Sequence, residues 1–89
     1  MAKAEIGWTR VTEEGVTLKV YVQHVGRDWR FFARERRYDQ WQAIAESPLE
    51  DWLELLDGIR RRVNRRLLRP EEIGRLEKTI HELFPEAEF

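Results

Sequence analysis

The sequence predicts an α+β chain, with a three-stranded antiparallel meander followed by two helices, and three observations carry that prediction. Residues 5–37 alternate apolar and polar side chains with a period of two, interrupted by two turn signals. Residues 48–68 and 70–84 repeat their apolar positions at helical spacing instead. Both turns, read independently, send one set of side chains to the same face of the sheet, which a slip of one residue would scatter. The expected order is β-β-β-α-α, with the two antiparallel helices packed on one face of the sheet.

Strands are expected at about 5–12, 16–25 and 28–37. In the clearest of them, Val16, Leu18, Val20 and Val22 point one way, and Thr17, Lys19, Tyr21 and Gln23 the other. The segment E-E-G before this strand suits a type I turn closed by a bulge at Gly15. That turn sets Trp8 against Val20 and Ile6 against Val22. After the strand, Gly26-Arg27 suits a two-residue type II′ loop, which sets Val22 against Phe31 and Val20 against Ala33. A three-residue loop would place Arg34 opposite Val20, so parity selects the shorter one. Ile6, Trp8, Leu18, Val20, Val22, Trp29, Phe31 and Ala33 then share the core face. Trp41, Ala43 and Ala45 alternate well enough for a short fourth strand near 41–45, although an irregular approach to the first helix fits almost as well. Either way Trp41, a large aromatic, is expected at the edge of the core.

The first helix opens with S-P-L-E. Ser47 is the expected N-cap, Pro48 stands at the first helical position, and Glu50 is placed to complete a capping box. Leu49, Trp52, Leu53, Leu56, Ile59, Val63 and Leu67 form its buried stripe, whose phase runs through Gly58 without a break. Pro70 ends this helix and starts the next, in which Ile73, Leu76, Ile80, Leu83 and Phe84 form the stripe. Pro85 closes it, leaving residues 85–89 as a loose tail. Residues 1–89 therefore read as one small domain.

Composition narrows the functional classes. The 89 residues carry a net charge of −1, so no global field draws the chain to nucleic acid or to an acidic surface. Cysteine is absent, which removes thiolate chemistry and sulfur-rich metal sites. No apolar run approaches the length of a membrane span, and no signal segment opens the chain, so a cytoplasmic protein with no membrane partner is expected. The single serine has a structural role as a cap. His24 and His81 have no metal-ligand spacing, and the paired acids Glu13-Glu14, Glu50-Asp51 and Glu71-Glu72 fit turns and first helical turns. No enzyme, cofactor or metal site is expected.

Two surfaces stand out as binding candidates. On the first helix, Arg61, Arg62, Arg65, Arg66 and Arg69 lie opposite the apolar stripe with no acid among them. They are either a track for phosphates and acidic proteins or a solvated helix end. On the outer face of the sheet, Tyr21 stands opposite Phe32 among Lys19, Gln23, Arg30, Arg34 and Arg36. Aromatics among basic side chains can stack and hold a single strand, or pack against a protein. The element order is not that of the RNA-recognition motif, the KH domain or the double-stranded-RNA-binding domain. The expected role is a non-catalytic module or accessory protein binding another protein or itself as a homodimer. The alternative is a nucleic-acid-binding domain using the arginine face and the aromatic sheet face.

Overall fold

Why do the strands pair with their chain neighbours? The first turn carries its own geometry. In the computed structural model, which describes residues 6–25, 28–36 and 39–89, Thr12 opens the first turn. Its carbonyl accepts from the Gly15 amide at 2.9 Å, its amide donates to the Val16 carbonyl at 2.8 Å, and its hydroxyl accepts from the Val16 amide at 3.1 Å. Gly15 takes φ +85°, the left-handed position that completes a bulge and that a side chain resists.

Strands β1 (Ile6–Val11) and β2 (Thr17–Val25) therefore pair with Trp8 against Val20 and Ile6 against Val22, as the turn parity requires. Strand β3 (Asp28–Arg34) pairs with β2 so that Val22 faces Phe31 and Val20 faces Ala33. The Gly26-Arg27 loop itself lies outside the described residues, as does Arg37 at the expected end of this strand. A fourth strand, β4 (Gln42–Ile44), pairs with β3 and completes an antiparallel sheet in the order β1-β2-β3-β4.

One face of the sheet buries Ile6, Val20, Val22, Phe31 and Ala33, while Trp8, Leu18 and Trp29 are half-buried on it. Trp8 and Phe31 meet edge to face, with centroids 6.2 Å apart. His24, which continues the same parity, is exposed. It lies flat on Trp29, 3.9 Å from centroid to centroid.

The chain divides at Ser47, where the sheet unit gives way to a helical unit beginning at Pro48. Helix α1 (Leu49–Asn64) is shorter than the expected 48–68 at both ends. The capping box does not form. Pro48 rather than Ser47 occupies the cap, with no side-chain bond to the first turn. The Pro48 carbonyl accepts from the Asp51 amide at 3.0 Å. Ser47 thus stands one position too early to cap, and its hydroxyl is buried without a hydrogen-bond partner among the described residues.

At the other end, Arg66 adopts φ +62°. Its amide donates to the Val63 carbonyl and the Leu67 amide to the Arg62 carbonyl, at 2.9 and 2.8 Å, the paired bonds of a Schellman stop. Leu67 consequently leaves the apolar stripe and is exposed.

Along α1, Trp52, Leu55, Leu56, Gly58 and Ile59 are buried together with Asp51. Leu55 is a core residue the expected stripe omits, because the buried sector is wider than one face. Helix α2 (Glu71–Leu83) buries Leu76 and Ile80 and leaves Leu83 exposed. The tail turns back on it: Phe89 stacks on His81 with centroids 4.4 Å apart. Between the helices, the Arg60 guanidinium meets the Glu77 carboxylate at 2.9 Å. Both groups are solvent-exposed, so this pair contributes no more than about 1 kcal/mol. No helix among the described residues is long and apolar enough to cross a membrane.

Candidate functional site

The outer face of the sheet is built from two-residue steps. Lys19 stands opposite Arg34, Tyr21 opposite Phe32, and Gln23 opposite Arg30. Phe32, which is half-buried, also stands opposite Ala43 on β4, a residue too small to cover a ring. Two positions before Ala43, Trp41 shares its parity and joins the same face instead of the core edge. It is 37% exposed. The signal that could have found it is the register of Ala43 against Phe32, which sends every second residue of that segment outward.

Tyr21 contacts both of the other rings. Tyr21 and Phe32 stack at 5.0 Å with planes 18° apart. Trp41 meets Tyr21 nearly perpendicularly, at 76° and 4.5 Å, the edge-to-face arrangement that the ring quadrupoles favour. The guanidinium of Arg34 lies 4.3 Å over the Trp41 ring, a cation–π contact. Arg34 is further held by a long bond, 3.5 Å, from its Nη1 to the Asp39 carbonyl. The backbone at Gly7, across from Tyr21, leaves the β1 side of that ring open. A Cβ there would come within 3.0 Å of the Val20 carbonyl oxygen.

Lys19, Tyr21, Arg30, Phe32 and Arg34 are therefore brought together as expected, with Trp41 added. Arg36 is not part of the array. Strand β3 ends at Arg34, and Arg36 enters a turn in which its amide donates to Asp39 Oδ2 at 3.1 Å.

The arginine track of the first helix is dispersed by the early helix end. Only Arg61 and Arg62 remain on α1. Arg61 is ion-paired with Asp57, one helical turn back, and Arg62 is half-buried with a partner inside the chain. Arg65 caps the helix, while Arg66 and Arg69 lie in the loop before α2. These five side chains do not form a continuous helical stripe.

Within the sheet unit, a groove of about 890 Å³ runs along the β3–β4 end. Leu18, Ala33 and Ile44 supply its apolar lining, and Glu35, Asp39 and Glu46 its acids. Among the described residues, no three histidines or acids gather as a metal site would require. No protein-family model, curated protein or solved structure matches this chain.

Proposed function

We propose that this chain is a non-catalytic protein-interaction module whose outer sheet face receives an acidic segment of a partner protein. The observation that carries this reading is the way the aromatic rings satisfy one another. Tyr21 lies on Phe32 and against Trp41, and Arg34 covers one face of Trp41. Ring faces that a nucleobase would need are partly taken, which leaves ring edges beside the exposed cations Lys19 and Arg30. Both attract carboxylates, because the edge of an aromatic ring is its positive part. Aromatic and arginine side chains together are also the composition of interface centres.

Spacing refines the partner. Arg30 and Arg34 are four residues apart on one strand, about 13 Å at the usual rise, with the Tyr21–Phe32 pair between them. An extended segment reading acid, spacer, apolar, spacer, acid repeats the same interval. A second copy offering this face would set Lys19, Arg30 and Arg34 against themselves, so the partner of this face is another protein.

Single-stranded nucleic acid is the second reading, favoured by one feature. Lys19 and Arg34 face each other as like charges, which an anion between them would relieve. Titration of a labelled acidic–aromatic peptide of that pattern, beside single-stranded DNA and RNA of equal charge, separates the two. Peptide binding that weakens at least tenfold in both Phe32→Ala and Arg34→Gln supports the protein-binding reading. Binding of the single strands alone, falling log-linearly with salt, would transfer the face to nucleic acid. Binding of neither would remove the face as a site.

A further inference from the structure

We infer that copies of this chain associate head to tail, the loop between α1 and α2 of one copy entering the groove at the β3–β4 end of the next. The loop has the form of a knob. Arg66 holds φ +62° where glycine is the usual occupant, which fixes the chain reversal at the cost of backbone strain. The residue after such a stop commonly tucks against the preceding helical turn. Leu67 does not: it is 63% exposed. Around it stand Arg65, Arg66 and Arg69, all exposed, and none of them makes an ion pair among the described residues. A bare leucine with three exposed cations within two residues of it in the chain suits an apolar strip with acids beside it.

The sheet unit offers an apolar strip within a groove whose lining is mostly polar, with acids on its border. The groove has Leu18, Ala33 and Ile44 as its apolar surface, and its volume of about 890 Å³ is of the size that holds several side chains. Glu35 and Glu46 on its border are exposed and have no ion-pair partner among the described residues. Asp39 adds a third carboxylate, one oxygen of which accepts from the Arg36 amide. The two arginines that also line the groove are already engaged, Arg34 with Trp41 and Asp39, and Arg10 within the chain. Three unpaired cations around a leucine thus match three acids around an apolar lining. This occupant explains Leu67, which a phosphate backbone would leave bare.

Such a contact is heterologous. It joins two different surfaces, so each added copy leaves one knob and one groove free until the assembly closes on itself. The groove shares Arg34 and Ala43 with the sheet face proposed above, but the variants below leave both residues unchanged, so the two readings are tested separately.

The test is complementation between two variants. One carries Arg65→Glu, Leu67→Ser and Arg69→Glu and has a disabled knob; the other carries Glu35→Arg and Glu46→Arg and has a disabled groove. Circular dichroism and a cooperative melt establish that each is folded. In sedimentation velocity, the wild-type chain is expected to gain mass as its concentration rises from micromolar to millimolar, less so at high salt. Each variant alone is expected to stay monomeric, and an equimolar mixture to form a one-to-one dimer that grows no further. The single change Leu67→Ser, at a solvent-exposed position, is expected to weaken wild-type association roughly 10- to 100-fold. A wild-type chain that stays monomeric at millimolar concentration, variants that associate as well as wild type, or a mixture that remains monomeric would each overturn the inference.

Discussion

A buried hydroxyl without a partner is costly, and that of Ser47 has none among the described residues. Two accounts of this residue give opposite outcomes for the same substitution. A serine that caps a helix contributes about 1 kcal/mol, so its replacement by alanine lowers stability. The structure instead has Pro48 in the cap and Ser47 one position outside it. Removing the hydroxyl then relieves an unmet desolvation cost of about 1–3 kcal/mol, set against some lost packing. Ser47→Ala is therefore expected to be neutral or stabilising in urea denaturation. A loss of 1 kcal/mol or more would restore Ser47 as the cap.

At the scale of the element, β2 is the longest strand, paired on both sides and buried on one face. Val20 is its centre, opposite Trp8 on one side and Ala33 on the other, and only 2% exposed. Val20→Asp places an unpaired charge there, at a cost comparable with the whole stability of a small domain, and the variant is expected to be unfolded by circular dichroism. A folded variant with a cooperative melt would mean that this face is not a core. The same element shows why register is legible in the sequence. The turn at Gly15 sets the parity of its β1 side, and the length of the second loop sets the parity of its β3 side, so each side checks the other.

What is not legible has equally local causes. The motif S-P-L-E fits two cap positions one residue apart, and pattern alone does not choose between them. The α1 end is hidden because Arg66 does the work of a glycine, so no residue type marks the stop. Three of the five helix-face candidates fall off the helix for that single reason. Trp41 is misplaced because a strand of three residues is too short to declare its own phase. The core sheet-face candidates keep their places because they lie on long, well-determined strands.

For the molecule as a whole, the strand order follows the sequence order, and α2 follows α1 after a short loop. Every strand finds its partner next to it in the chain. No pairing waits for a distant segment to diffuse in, so the entropic cost of loop closure is small at each step. Low contact order of this kind speeds the search for the native state. Each hairpin can close before its neighbour is in place, and the sheet can lengthen from β2 outward one strand at a time. Stopped-flow refolding is expected to be complete within milliseconds for chains whose prolines are already trans, and any slower phase should shorten with a prolyl isomerase. A dominant isomerase-insensitive phase of seconds would show that sequence-neighbour pairing does not set the rate. On this view the plain order of the strands lets an 89-residue chain rich in charge reach its sheet before its exposed strand edges can find one another.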